Sequence, residues 1–566
     1  MRSVLECVLE HAAQRPDHDV VRLVSHRVPS ARRTYAEIAA GAERAAGFLA
    51  AKGIGKGDPV ALIGSHHVDL YTSWLGALWV GAVPTVLAEP SVRIDKGFYW
   101  SRLAKLLERN QVETILLEPG IDVTGSAAGS LRSFTYEEVA AGGHPTPSQV
   151  VAEPEALIAL QHSSGTTGLQ KGVMLTHAMM MRHCAAQNAR TGLSASDTTA
   201  NWLPLFHDLG LICSFIQPMI TGGTMVWLSP FEWVATPSIL LSAITEHRAT
   251  IMWLPNFAFA FMAQGVSDPP EAFDLSSMRS IYSGGEAVSE SAMEAFYHRF
   301  KGSGLKHEAL HVGYGMAEAV GGIAHSSAEH PARFFRVDKR VWAEDHRAEP
   351  PADPLAGAAV HLSCGPPLDG CEIRVVDAEG HPLPPRHAGR ILLRSTYLFT
   401  GYYRRDDLNG DLFDAEGFLD TGDVGYLDED GHVYVTGRLK ELTKVGGRTV
   451  YPQDVEDVLN TIPGVHPGRA VCFGVSLAAR GTEGLVILAE SDLPEAEWPA
   501  LASRVRLAVV KAADVDVLDM RIVARNSLRK STAGKLARDG NREWYLDAKF
   551  GPLPPAVAAA PRAPAA

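Results

Sequence analysis

Short, wholly apolar runs punctuate the chain, separated by longer stretches whose apolar residues recur every three or four positions. Residues 60–63, 83–87, 157–161, 251–254, 279–283 and 309–312 have the length and composition of buried strands. Residues 68–80 read as a helix between two of them. Met293, Phe296, Tyr297 and Phe300 mark one helix face by their i, i+3, i+4, i+7 spacing. Strands alternating with helices predict an α/β architecture with largely parallel sheets, in which ligands sit beyond the carboxyl ends of the strands. From about Cys371 the pattern shifts to short alternating strands and turn signals such as Asp428-Glu429-Asp430-Gly431. After Gly437-Arg438 the chain carries strand signals of its own at 470–475 and 485–490. The expected organisation is a large N-terminal domain over 1–437, made of parallel-sheet α/β subdomains plus a β-rich subdomain. A small α+β C-terminal domain over 438–550 follows, and then a disordered Pro/Ala tail over 551–566.

Composition narrows the class. The 566 residues are 46% hydrophobic and 21% charged, as in ordinary globular proteins, and carry a net charge of −13. That acidity disfavours a nucleic-acid partner and requires any anionic substrate to find a locally positive pocket. No apolar run reaches the ~18 residues of a membrane span. Glu6 interrupts the start before an apolar core of signal-peptide length, so no secretory leader is expected. Cysteines 7, 184, 213, 364, 371 and 472 show neither a CxxC nor metal-ligand spacing and read as reduced thiols. A Cys364–Cys371 disulfide is the one pairing to consider, and a cytoplasmic location is expected.

One loop carries candidate chemistry. His162-Ser163-Ser164-Gly165-Thr166-Thr167-Gly168-Leu169-Gln170-Lys171-Gly172 follows directly on a strand run. Its glycines let the backbone wrap an anion with N–H groups turned inward, its hydroxyls suit phosphate oxygens, and Lys171 adds charge. The spacing fits neither G-x-x-x-x-G-K-[ST] nor G-x-G-x-x-G. Alone, the segment would read first as a flexible Ser/Thr/Gly linker.

It does not stand alone. The loop resembles the signature of the adenylate-forming superfamily of acyl-CoA synthetases, luciferases and peptide-synthetase adenylation domains. Further matches follow in order: Tyr314-Gly315-Met316-Ala317-Glu318, Thr421-Gly422-Asp423, Gly437-Arg438-Leu439-Lys440-Glu441-Leu442, and Ser531-Thr532-Ala533-Gly534-Lys535. The resemblance covers the chain up to its tail. It implies ATP- and Mg²⁺-dependent activation of a carboxylate to an acyl-adenylate with release of pyrophosphate. In-line attack on the α-phosphorus is catalysed mostly by positioning and charge neutralisation.

The resemblance also implies roles. Ser163, Ser164, Gly165, Thr166, Thr167, Gly168 and Lys171 would hold phosphates, while Thr167 and Glu318 would hold Mg²⁺, which prefers hard oxygen donors. Tyr314, with Gly313, Gly315, Met316 and Ala317 around it, would stack on adenine, whose edge Ser283-Gly284-Gly285-Glu286 would line. Asp423 would accept from the ribose hydroxyls beside Arg438. Lys535 would supply charge to the transition state when the C-terminal domain, mobile in this family, closes by pivoting at Lys440. Each has a plainer reading: a buried structural tyrosine, a turn aspartate, a loop glutamate, a solvated lysine.

Three stretches point to one branch. Asn201-Trp202-Leu203-Pro204-Leu205-Phe206-His207-Asp208-Leu209-Gly210-Leu211, Tyr451-Pro452-Gln453-Asp454-Val455-Glu456 and Arg333-Phe334-Phe335-Arg336-Val337-Asp338-Lys339-Arg340 are similar to fatty acyl-AMP ligases. The last opens a Pro/Ala/acid-rich insertion to about Ala359, which in that branch restrains the small domain and directs the acyl group to a carrier-protein phosphopantetheine thiol instead of CoA. The Lys444-Val445-Gly446-Gly447 turn resembles CoA ligases instead. His207 is expected at the carboxylate end of the acyl pocket, with a core histidine as its rival reading. Trp227, Met252, Trp253, Phe257 and Phe261 are candidate walls, or ordinary core. A medium- or long-chain fatty acid is the expected substrate, ahead of an aryl or unusual amino acid. An acyl-CoA ligase, transfer to a nitrogen nucleophile and an adenylate-binding regulatory protein on the same fold remain as alternatives.

Overall fold

The apolar runs that open the sequence become strands shared mainly between two sheets, in a computed structural model. It describes residues 2–27, 30–90, 96–123, 126, 128–162, 170–353, 358–445, 448–477, 482–513, 515–530 and 536–547. The glycine-rich loop residues Ser163, Ser164, Gly165, Thr166, Thr167 and Gly168 therefore lie outside the described residues, as do Gly446, Gly447, Lys535 and the 551–566 tail.

The larger sheet has eight strands, ordered Ala324–His325, Leu310–Tyr314, Ser280–Ser283, Ile251–Leu254, Thr198–Asn201, Thr224–Leu228, Asp19–Val24 and Ala31–Thr34. The inner strands all run parallel, and an antiparallel strand closes each edge. Every residue of Thr224–Leu228, Ile251–Leu254, Ser280–Ser283 and Leu310–Tyr314 is buried. Such strands are covered on both faces, which is why they read as unbroken apolar runs without alternation. A second parallel sheet orders Val83–Leu87, Pro59–Ile63, Thr114–Leu117 and Arg132–Thr135. The expected helices are present at Val68–Trp79 and Glu290–Phe300, the latter burying Met293, Phe296 and Phe300.

Leu157–His162 joins neither parallel sheet. It pairs antiparallel with Gly172–Thr176, with His162 opposite Gly172, so the strands hold the two stems of the glycine-rich loop side by side. The β-rich piece is an antiparallel sheet of Cys371–Val376, Gly389–Ser395, Leu419–Leu427 and Val433–Arg438. Beyond it, Ala470–Leu477, Thr482–Ser491 and Val517–Ala524 form a three-stranded sheet. The helices Pro452–Asn460 and Trp498–Ala513 pack against it around an apolar cluster that includes Val455, Leu459, Ile487, Leu501 and Val505. That segment thus buries a core of its own.

The insertion is more ordered than its composition suggests. Phe334–Asp338 and Ala358–Leu362 pair antiparallel, and Asp338 caps a helix over Lys339–Asp345 by accepting from the amides of Arg340 and Val341. The disulfide considered from sequence is not formed: all six cysteines are free, and Cys371 Sγ lies 2.9 Å from the Tyr397 hydroxyl. No helix among the described residues is long and apolar enough to cross a membrane.

Candidate active site

Among the described residues, those of the 283–286 and 313–318 motifs collect where parallel strands end, and Asp423 and Arg438 reach them from the antiparallel sheet. Ser283, at the carboxyl end of its strand, pairs with Val312 two residues before Tyr314. Beyond the neighbouring strand's end, the Gly284 amide donates to the Leu254 carbonyl at 3.1 Å. Glu286 accepts from the Phe257 amide at 2.7 Å, which fixes the turn after Ser283 against the start of the next helix. The Ser283 hydroxyl is buried with no hydrogen-bond partner among the described residues.

Tyr314 closes this group from the other side. It is buried, and its hydroxyl donates to Asp423 Oδ2 at 2.8 Å. Asp423 sits opposite Arg438 on adjacent strands, with Arg438 Nε 3.2 Å from Oδ1. Burial raises the Asp423 pKa, and the Arg438 charge and the Tyr314 hydrogen bond pull it back. The pair thus presents one buried carboxylate, held from two directions, beside a phenol ring. Gly315 has no room for any side chain, since a Cβ there would stand 1.4 Å from the Gly321 carbonyl oxygen. The chain doubles back at this point, through Met316 and the buried Ala317, into the antiparallel edge strand. Val320 pays for the tight return with a left-handed φ of 58°, a costly state for a β-branched residue.

Inside that return Glu318 lies on a short 3₁₀ turn and is buried. Its Oε1 accepts from the Tyr402 hydroxyl at 2.8 Å, and Lys171 Nζ stands 4.5 Å above the Tyr402 ring. Among the described residues Glu318 makes no ion pair. A buried carboxylate without a counter-charge suits a divalent cation, and one carboxylate completed by phosphate oxygens and water is how Mg²⁺ is usually held. No described cluster of three or more His, Cys, Asp or Glu could cage a metal without such help. Tyr402 lies 84 residues from Glu318, and no sequence pattern marked it.

His207 occupies a turn that Asn201 organises by accepting from the Trp202 and Leu203 amides, each at 2.8 Å. Asp208 Oδ1 lies 2.6 Å from His207 Nδ1, and the Leu209 amide donates to the same ring nitrogen at 3.3 Å, so the imidazole is held from its Nδ1 side. Gln161, buried on the strand before the glycine-rich loop, donates to the Phe206 carbonyl at 2.7 Å. One side chain therefore ties the histidine turn to the loop stem. Behind the turn, Leu209–Ile216 winds as a π-helix, and a Cβ at Gly210 would stand 2.2 Å from the Pro204 carbonyl oxygen.

The candidate walls separate into two groups. Phe257 and Phe261, both partly buried, surround a stack of Trp202 on Trp233 with ring centroids 4.0 Å apart. Met252 and Trp253 belong to the same apolar cluster, with Met252 fully enclosed. Trp227 lies in the other main cluster, stacked on His66 at 4.2 Å. Lys440 is exposed on the turn Leu439–Glu441. Its neighbour Glu441 pairs with Arg538, which also binds Glu456 at 2.9 Å. Across the chain, the insertion's Trp342 packs on Tyr451 with centroids 4.8 Å apart, and His346 Nδ1 lies 3.2 Å from the Tyr451 hydroxyl.

Known proteins resemble this chain in sequence and fold. The family model described as AMP-binding enzyme matches residues 8–403. The medium-chain-fatty-acid–acyl-carrier-protein ligase JamA of Moorena producens is 30% identical over 69% of this chain and 68% of its own. The long-chain-fatty-acid–AMP ligase FadD26 of Mycobacterium marinum is 27% identical over 98% of each chain. A solved structure from structural and functional studies of fatty acyl-adenylate ligases from E. coli and L. pneumophila superposes with a TM-score of 0.90. It shares 24% identity and covers 98% of this chain and 99% of that one.

Proposed function

The chain belongs to the AMP-binding enzyme family, and on that premise we propose that it activates a fatty acid with ATP to an acyl-adenylate and passes the acyl group to a carrier-protein thiol. The observation that carries the reading is Asp423, a buried carboxylate gripped by Tyr314 and Arg438 at the rim of the β-rich sheet. A cis-diol fits it as the Tyr314 phenol and the Arg438 guanidinium yield or share their bonds, and the Tyr314 ring then offers a face to adenine. Ser283, Gly284, Gly285 and Glu286 line the base edge. The unpaired Ser283 hydroxyl supports a polar ligand there.

Glu318 and the loop's Thr167 are the proposed Mg²⁺ ligands. The cation would neutralise phosphate charge as pyrophosphate departs. Lys171 and the hydroxyls of the 163–168 loop hold the phosphates. His207, held on its Nδ1 side by Asp208 and the Leu209 amide, orients the carboxylate, and Phe257 and Phe261 receive the apolar part of the acid. Lys535 supplies positive charge to the α-phosphate during attack. Replacing it with alanine should cut adenylation about 10²–10³-fold while ATP and acid still bind. We place the domain boundary between residues 437 and 438, with Lys440 as the pivot.

Carrier-protein transfer is supported by the insertion. Trp342 and His346 both touch Tyr451, so the insertion is in contact with the segment that must rotate before a thiol can enter. The test is one quenched reaction containing ATP, Mg²⁺, CoA and a mixed pool of fatty, aryl and amino acids, read by mass spectrometry. An acyl-AMP without its acyl-CoA is the expected result. Acyl-CoA from the same acid overturns the acceptor assignment, and an aryl or aminoacyl adenylate overturns the choice of acid. Binding of ATP with no adenylate from any acid overturns catalysis itself.

A further inference from the structure

Both stems of the glycine-rich loop are held from one place that no motif covers, the C-terminal end of the helix Lys96–Arg109. On the entry side, Asn110 is buried and its Nδ2 lies 2.9 Å from His162 Nε2. His162 Nδ1 lies 2.9 Å from Thr85 Oγ1, whose own proton goes to the Leu160 carbonyl at 2.8 Å. The chain of bonds has one consistent direction: Asn110 donates to Nε2, and Nδ1–H donates to Thr85. On the exit side, the Arg109 guanidinium donates to the Gln170 carbonyl, one residue before Lys171.

Arg109 has donors to spare. Among the described residues its Nε is buried without a hydrogen-bond partner, and no carboxylate lies within ion-pair distance of it. Its charged neighbours are Arg405 and Asp407, and Asp407 is engaged by Arg405 at 2.6 Å. Burial, and then the Arg405 charge, depress the Arg109 pKa, as expected where cations gather without a matching anion. In a chain of net charge −13, a half-buried cluster of Arg109, Arg405 and nearby Lys171 is an exception that favours an anionic ligand.

We propose that Arg109 binds the pyrophosphate end of ATP, with Asn110 and His162 as the support that aims the loop stem toward it. The inference rests on the adenylation reading above. A guanidinium presents paired donors to phosphate oxygens. The terminal nitrogens of Arg109 lie beside the loop's exit residue and can serve this way. A helix C-terminus also welcomes a positive side chain, and that role alone would alter only stability.

The experiment uses the full-length chain in ATP–pyrophosphate exchange, with the acid identified by the assay above and with AMP as inhibitor. Arg109→Met is expected to raise the KM for pyrophosphate and for ATP about tenfold, with the AMP inhibition constant unchanged. Arg109→Lys keeps the charge without the fork. It should recover part of the loss, and it preserves the test if the Met variant folds poorly. A pyrophosphate KM that stays put, or one that shifts together with the AMP constant, overturns the inference. Wild-type chain that exchanges no pyrophosphate with any acid overturns the adenylation reading and the inference with it.

Discussion

Single contacts decide what the site can hold. Tyr402 is the clearest case, because among the described residues its hydroxyl is the side chain that donates to the buried Glu318. Tyr402→Phe should leave the fold intact yet raise the Mg²⁺ concentration needed for half-maximal adenylation about tenfold, the usual worth of a hydrogen bond to a charged group. A metal titration of the initial rate measures it, and an unmoved half-saturation would separate Tyr402 from the metal site. Tyr314, Glu318, Asp423 and Arg438 were legible in sequence because each sits in a short local motif. Tyr402, Gln161 and Arg109 were not. Their contacts span 84, 45 and 61 residues, and nothing in their own neighbourhoods announces the partner.

At the scale of elements, apolar runs revealed strands well because sheets covered on both faces need uninterrupted Val, Ile and Leu. They did not reveal pairing. Leu157–His162 reads like its parallel neighbours yet folds back on Gly172–Thr176, a choice made by the short loop between them and not by the strand. The π-helix Leu209–Ile216 was equally hidden, since eight buried residues, all but Ser214 apolar, fit any buried helix. Its geometry depends on Gly210, whose missing side chain lets the Pro204 carbonyl approach. Gly210→Ala should lower stability by ~1–3 kcal/mol through that clash and displace the His207 turn. Denaturant unfolding gives the first effect, and a rise in KM for the acid without one for ATP gives the second.

For the molecule as a whole, the burial of so many histidines sets the acid side of its stability. Burial lowers His66, His162, His177, His311 and His361 to about 4, against ~6.5 in an unfolded chain. Below that unfolded value the unfolded chain takes up protons that the folded one refuses, so stability is lost as pH falls from ~6.5 toward 4. Glu89, Asp454 and Asp457, raised by burial to about 7, have the opposite slope and offset part of it. His183, lowered to about 3, and His325, lowered well below its ordinary value by burial and nearby cations, add to the five, so the histidines outweigh the three carboxylates and the urea midpoint should be lower at pH 5 than at pH 6.5. A midpoint that rises on acidification would show that the carboxylates dominate. The hairpin that brackets the insertion carries a further consequence. Asp338 and Ala358 face each other across one antiparallel ladder, so the excursion between them leaves and returns at the same spot. A segment hung on such a frame is a cassette. Such a segment can be shortened or exchanged without shifting the register of the ladder beneath it, so its length and the fold that carries it are free to vary separately.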